Sequence, residues 1–224
     1  MTFNFLRTNF NGDPNLGLFG RATENYCILG MELPKNETEA ISKSIGADVH
    51  KCTLAGTELL GIFCSGNNNG LVVTKMAEKD EIKNLKKLLG INITVIESKE
   101  TAIGNLVLCN DNGCLISPTL QKYKKQISDT LGCEVLFGTI ADFNIVGSAG
   151  MASNVGCLCH MSASEEELKK VGDLLKVRTD IGTVAYGTPY IKAGVIVNSN
   201  GIIISDKSTG PELGRVDEVF NPER

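Results

Sequence analysis

No run of apolar residues in this chain is long enough to cross a bilayer. The first fifteen residues, Met1 to Asn15, alternate phenylalanine with polar residues and lack the continuous apolar centre and small-residue cleavage site of a secretory signal. A soluble protein that stays inside the cell is therefore expected. No Pro/Ser-rich or charge-rich stretch marks a linker, so disorder and an obvious domain break are both disfavoured. Neither phosphate-binding glycine pattern occurs: there is no Gly-x-x-x-x-Gly-Lys-Ser/Thr, and no Gly-x-Gly-x-x-Gly that follows a strand and opens a helix. Histidine occurs twice and Cys-x-x-Cys nowhere, too few paired ligands for a structural zinc site around Cys157-Leu158-Cys159-His160. Strand alternation would also turn Cys157 and Cys159 to one face and His160 to the other. No metal site and no cofactor are expected. A net charge of −4 and a pI near 5.3 are the wrong sign for a protein that binds free nucleic acid through many phosphates, and they suit a basic protein surface better.

What is present is a repeat. Asn67-Asn68-Asn69-Gly70, Asn110-Asp111-Asn112-Gly113, Asn154-Val155-Gly156 and Asn198-Ser199-Asn200-Gly201 end in glycines 43, 43 and 45 residues apart. A degenerate copy stands at Thr23-Glu24-Asn25. Asn-Gly turns between apolar runs predict β-hairpins, because both residues tolerate the positive φ of a type I′ turn. A second series, Gly17, Gly61, Gly104, Gly147 and Gly194, recurs at intervals of 44, 43, 43 and 47. Helical stripes follow the turns: Ile82, Leu85, Leu88 and Leu89; Leu120, Tyr123, Ile127 and Leu131; Leu168, Val171, Leu174 and Leu175. Gly46, Gly90 and Gly132 suit helix C-termini, Ser164 with Glu167 forms a capping box, and Pro211 suits a first turn. Short apolar strands such as Ile93-Thr94-Val95-Ile96 and Val135-Leu136-Phe137 come next.

The unit is strand, turn, strand, helix, strand. One copy cannot bury both its sheet and its helix, so five copies must share neighbours, and closing them into a ring removes open sheet edges. An α/β ring of five repeats of about 44 residues, one domain spanning residues 1–224, is predicted.

The eight cysteines are expected to be reduced thiols. Cys27, Cys114 and Cys157 hold the position of Leu71 and Ile202, which marks an apolar packing site. His160 aligns with Thr74, Ser117 and Ser205, a strand-end hydrogen-bonding position. Glu165-Glu166-Glu167 and Lys122, Lys124 and Lys125 read as solvated helix faces.

Thr101-Ala102-Ile103-Gly104-Asn105, continuing to Asn110-Asp111-Asn112-Gly113-Cys114-Leu115-Ile116-Ser117-Pro118, resembles the translation initiation factor 6 family, the ribosome anti-association factors of archaea and eukaryotes. Thr139-Ile140-Ala141, Val146-Gly147-Ser148, Gly182-Thr183-Val184 and Thr209-Gly210-Pro211-Glu212-Leu213 extend the likeness over essentially the whole chain. The resemblance implies a pentein fold, five quasi-equivalent strand-and-helix repeats closed around a pseudo-five-fold axis. It implies a monomer that binds the large ribosomal subunit through an L14-type ribosomal protein near the sarcin–ricin loop, keeps the small subunit away and accompanies late subunit maturation. Release by a GTPase with its cofactor protein is implied too, as is a cytoplasmic location, with nucleus and nucleolus added in a eukaryote. No membrane partner is implied.

The layer one step after each periodic glycine, Leu18, Ile62, Asn105, Ser148 and Val195, is the expected ribosome-binding rim, with Ala149 and Tyr190 on the same edge. The chain departs from commoner members of the family at Ala149-Gly150, where a bulkier aromatic is usual, at Ile62, where a basic residue is frequent, and at Met161, which replaces a proline. Other penteins are amidine-modifying hydrolases and transferases with a nucleophilic cysteine near the C-terminus. Here the last cysteine is Cys159, so that alternative lacks its nucleophile and no catalytic residue is expected.

Overall fold

A computed structural model describes residues 3–221 and Glu223; Met1 and Arg224, the ends of the expected domain, lie outside the described residues. The chain opens with β1 (Asn4–Thr8) and then builds five similar units. The first holds α1 (Leu16–Phe19), β2 (Gly20–Ala22), β3 (Tyr26–Leu29), α2 (Lys35–Ile45) and β4 (Asp48–Lys51). The second holds α3 (Leu60–Phe63), β5 (Cys64–Gly66), β6 (Gly70–Thr74), α4 (Lys79–Leu89) and β7 (Asn92–Ile96). The third holds α5 (Ile103–Leu106), β8 (Val107–Cys109), β9 (Gly113–Ile116), α6 (Lys124–Leu131) and β10 (Glu134–Phe137), with a 3-10 turn at Pro118–Tyr123. The fourth is α7 (Val146–Ala149), β11 (Gly150–Ala152), β12 (Gly156–His160), α8 (Glu165–Leu175) and β13 (Arg178–Gly182). The fifth is α9 (Ile191–Gly194), β14 (Val195–Val197), β15 (Gly201–Ser205) and α10 (Gly210–Phe220).

Each sheet has three strands, an antiparallel hairpin plus a parallel third strand reached over the long helix. The fifth sheet takes that third strand from the other end of the chain: β1 lies parallel to β15, with Asn4 opposite Gly201 and Thr8 opposite Ser205. The short helices touch in a closed cycle, α1 to α3, α5, α7, α9 and back to α1.

Each of five apolar cores is built mainly from one unit and completed by side chains of the unit before it. Tyr26 and Ile28 pack with Leu60, Leu71 and Leu85. Val72 and Ile96 pack with Ile103, Ile116 and Ile127. Leu108 and Leu115 meet Val146, Cys157 and Val171, Leu158 meets Val195, Ile202 and Phe220, and Ile196 and Ile203 meet Leu16, Cys27 and Ile41. At about 1.5–3 kcal/mol for each fully buried large apolar side chain, the neighbour's two side chains contribute roughly 3–6 kcal/mol to each core. No helix among the described residues is long and apolar enough to cross a membrane.

The helix ends follow the residues expected of them. Gly46, Gly90 and Gly132 sit at φ +64°, +64° and +65° and donate their N–H groups to Ser42, Lys86 and Ser128 carbonyls. Ser164 with Glu167 and Thr209 with Glu212 form reciprocal capping boxes.

The hairpin turns correct the expected mechanism: no residue of Asn67–Gly70, Asn110–Gly113 or Asn198–Gly201 has positive φ. Instead Asn67 Oδ1 accepts the N–H of Asn69 (3.0 Å) and Gly70 (3.2 Å), and Asn110 and Asn198 do the same in their turns. Ser153 and Thr23 hydroxyls take that role in the other two units. The glycine is needed for closeness. A Cβ at Gly70 would stand 2.2 Å from Thr130 O, and at Gly113 2.3 Å from Leu174 O, both carbonyls of the next unit's long helix.

Candidate interaction face

Each first strand runs from a short helix to a hairpin turn, so the two ring ends differ. At the hairpin end, asparagine side chains stitch unit to unit. Asn67 Nδ2 donates to Asn110 O (3.1 Å) and Leu131 O (2.9 Å), Asn110 Nδ2 to Ser153 O (3.0 Å) and Leu175 O (2.8 Å), and Asn198 Nδ2 to Thr23 O (2.8 Å) and Ile45 O (2.7 Å). Outside this belt Asp111 holds both Asn68 and Asn154. Glu24 accepts from Ser199, and burial raises the Glu24 pKa against that hydrogen bond. Within the belt lies a cavity of about 20 Å³, room for one water molecule, lined by Arg21, Cys109 and Asn198 among others. This end is tied up with itself.

Along the cycle of short helices the units pack through backbone. A Cβ at Gly61 would lie 2.1 Å from Gly17 O, at Gly104 2.1 Å from Gly61 O, and at Gly147 2.4 Å from Gly104 O. The fifth member of this layer is Lys192, not Gly194, because α9 begins Ile191-Lys192 where the other short helices place an apolar residue and then glycine. The buried Lys192 ammonium fills the axis, donating to Gly61 O (2.5 Å) and Gly104 O (2.6 Å). Burial first, and then the Arg21 charge, lower its pKa to about 7.

The rim follows from that alignment. Leu18, Ile62, Asn105 and Ser148 are half-buried in the short helices, and their fifth counterpart, also half-buried, is Ala193. Val195 is fully buried in the first residue of β14, so it is not on the rim. Ala149 is also fully buried, facing the core between the third and fourth units. Tyr190, by contrast, is 38% exposed immediately before α9. Asn105 Oδ1 is enclosed without a hydrogen-bond partner. An orphan acceptor costs about 1–3 kcal/mol, so folding gives no reason to keep it.

Beside the rim three rings meet, Phe143 and His160 T-shaped at 5.3 Å, His160 and Tyr190 T-shaped at 5.6 Å, and Phe143 and Tyr190 tilted at 6.3 Å. Phe143 is 40% exposed, and Met161 and Tyr186 nearby are 55% and 81% exposed. The repeat acts as an internal control. The position of Tyr190 holds Asn15, Leu59, Ala102 and Ile145 in the other units, and that of His160 holds Thr74, Ser117 and Ser205. His160 Nδ1 still accepts the Ser162 N–H (3.1 Å), as Thr74, Ser117 and Ser205 hydroxyls accept from residues two places on. Its hydrogen-bonding role is thus structural and its ring is surplus to it. Burial lowers the His160 pKa. Exposed Asp142, Glu165 and Glu166 flank the aromatics.

Carboxylates hold this end rigid. Glu167 accepts from Thr139 Oγ1 (2.9 Å), Ala141 N (2.9 Å) and Asp142 N (3.2 Å), so it is more than the solvated charge its sequence suggests. Glu212 binds Thr183 Oγ1, Tyr186 N and Gly187 N, and Glu81 binds Ala55 N and Gly56 N. Burial raises each carboxyl's pKa, but the combined hydrogen bonds outweigh it and hold all three below the usual carboxylate range.

Cys27, Cys114 and Cys157 are fully buried as packing residues, and burial pushes the Cys27 thiol up to about 12. No group of three or more His, Cys, Asp or Glu able to hold a metal occurs among the described residues.

These features define a rigid α/β scaffold of five three-stranded sheets with one self-bonded end and one end that offers an aromatic, acid-flanked surface. The eIF-6 family model matches residues 5–219. Translation initiation factor 6 of Methanocaldococcus jannaschii is 36% identical over 221 residues, covering 96% of this chain and 97% of that protein. The factor of the same name from Pyrococcus horikoshii is 35% identical over 220 residues, 96% and 97% of the two chains. That of Haloquadratum walsbyi is 33% identical over 216 residues, 96% of each. The chain belongs to the eIF-6 family. Its role is therefore in translation, and the relatives' names denote a translation initiation factor.

Proposed function

We propose that this chain binds the large ribosomal subunit with its short-helix end and thereby keeps the small subunit from joining. The carrying observation is the Phe143–His160–Tyr190 cluster, in which two exposed rings, Phe143 and Tyr190, rest against the buried His160 ring. Anchors of this kind, aromatic and partly desolvated before binding, dominate protein interfaces. The contact surface is then Leu18, Ile62, Asn105, Ser148, Ala193 and Tyr190, extended by Phe143 and Met161. Tyr190 and Phe143 supply the aromatic bulk that Ala149 withholds.

In this reading the five units close around a pseudo-five-fold axis as a pentein ring, one monomeric domain that works without turnover, in the cytoplasm and, in a eukaryote, the nucleus and nucleolus. Family likeness supports an L14-type ribosomal protein near the sarcin–ricin loop as the partner, release by a GTPase with its cofactor protein, and a second role in subunit maturation. An interface of roughly 1,200–2,000 Å² would exclude the small subunit by mass action alone. Sucrose-gradient sedimentation with purified large subunits, small subunits and free tRNA tests it. Co-migration with the large subunit alone is expected, and equal or no co-migration overturns the reading.

A further inference from the structure

The hairpin of the third unit differs from the other four in carrying cysteine on both strands at the pair next to the turn. Cys109 lies opposite Cys114 in the β8–β9 register. The equivalent pairs are Ala22 with Cys27, Gly66 with Leu71, Ala152 with Cys157 and Val197 with Ile202, so apolar packing alone does not call for two thiols. The hydrogen bonds Asn110 N to Gly113 O and Ser117 N to Leu106 O fix the ladder's phase and leave Cys109 and Cys114 as a non-hydrogen-bonded pair. In such pairs the Cα atoms are about 4.5 Å apart, inside the range of about 4.4–6.8 Å that a disulfide spans.

We propose that Cys109 and Cys114 are an oxidisable dithiol, converted reversibly to a cross-strand disulfide by a small hydroperoxide that enters the axial cavity. Cys109 lines that cavity, so a peroxide that reaches it meets the Cys109 sulfur. Its sulfur takes a hydrogen bond from Arg21 Nη2 at 3.3 Å and lies 3.6 Å from Ser65 Oγ, and Arg21 is itself buried with Gly66 O at 2.7 Å and Cys109 O at 3.1 Å. A buried guanidinium beside a sulfur stabilises the thiolate, the form that attacks peroxides. The hydrogen bond from Cys114, ahead of the opposing effect of burial, lowers the Cys109 pKa to about 6, with Arg21 adding to it; burial chiefly raises that of Cys114 well above the ordinary thiol range.

The chemistry balances in two steps. The Cys109 thiolate attacks one oxygen of H2O2 and the O–O bond breaks, giving Cys109 sulfenic acid and hydroxide. The Cys114 sulfur then attacks the Cys109 sulfur, the S–O bond breaks and the leaving hydroxyl departs as water with the Cys114 proton. Overall two thiols and one H2O2 give one disulfide and two waters, sulfur being oxidised and peroxide oxygen reduced.

The full-length reduced protein is treated with H2O2, quenched with an alkylating agent and cut on the N-terminal side of aspartate, which at Asp111 separates the two cysteines. Linked Cys109 and Cys114 peptides are expected to form at least on the order of tenfold faster than Cys133, the most accessible cysteine, is modified, and to disappear with dithiothreitol. In the Cys114→Val variant, dimedone is expected to trap a sulfenic acid on Cys109. Earlier oxidation of Cys133, a Cys157–Cys159 product in place of this one, or reaction of Cys109 and Cys114 only in urea would overturn the proposal.

Discussion

Asn105 is where folding and binding can be separated by one substitution. Its Oδ1 is buried without a partner, while the residue is half-buried in α5. Replacing it with alanine removes an unsatisfied acceptor whose burial costs about 1–3 kcal/mol and leaves the Gly104 carbonyl, which Lys192 uses, untouched. Lost side-chain packing offsets part of that relief, so the net change should lie between zero and about 1 kcal/mol of stabilisation. For a domain this size 1 kcal/mol moves Tm by about 2–4 °C, so Asn105→Ala should melt at the wild-type temperature or slightly above it. If the side chain turns its amide outward to a polar group on the subunit, its loss should weaken binding by about 1–3 kcal/mol, a factor of roughly 5 to 150 in Kd. Calorimetric melting and subunit co-sedimentation across a concentration series read the two quantities. A drop in Tm of several degrees with unchanged Kd would refute the reasoning and return Asn105 to the structural residues.

Phe143→Ala together with Tyr190→Ala should weaken subunit binding by about 2 kcal/mol or more while the far-ultraviolet circular dichroism stays unchanged, since both rings are exposed. Asn110→Ala should cost about 3 kcal/mol or more in urea unfolding, because Ser153 O, Leu175 O and the N–H groups of Asn112 and Gly113 all lose their partner; Asn110→Ser, which copies the fourth unit, should cost less. Lys192 has a folded pKa near 7 against 10.5 unfolded, so above pH 7 the unfolded chain binds the extra proton and stability rises with pH. Cys109, lowered to about 6, slopes the same way. Between pH 7 and 8.5 the Lys192→Met variant should therefore lose up to ~1.4 kcal/mol per pH unit of the wild-type slope in urea midpoint titrations. Gly104→Ala would place a Cβ 2.1 Å from Gly61 O and should fail to accumulate as folded protein in a thermal-shift assay.

The five-fold period, the hairpins and the helix ends were legible because each rests on a local demand: a polar side chain capping a turn, a residue able to take left-handed backbone, an apolar stripe. What escaped the sequence were consequences of closure. Lys192 broke the glycine series because a long side chain fits on the axis when its amine meets carbonyls from two other units, and no spacing rule anticipates that. Taking Gly194 as the fifth member shifted the rim by two places, which is why Val195 was expected where Ala193 stands. Ala149 was placed on the edge by proximity to Ser148, but the neighbouring helical position turns inward. Phe143 carries no sequence signal of its own, and His160 reads from the sequence only as a strand-end hydrogen-bonding position, because the two rings meet Tyr190 only in the folded chain. The available clue was that they replace small or polar residues at repeat-equivalent positions.

The pairing of β1 with β15 sets a timetable. The strand made first cannot find its mate until nearly 200 residues more have been made, as the Asn9 Nδ2 to Asp206 Oδ2 contact between residues 197 apart also requires. At about 5–20 residues per second, that is a delay of roughly 10–40 s for a nascent chain. Any product cut short before Gly201 keeps an unmated strand and a bare sheet edge, the kind of surface that aggregates or attracts proteases. Completion of the last sheet is thus a built-in proofreading step that only an intact polypeptide passes.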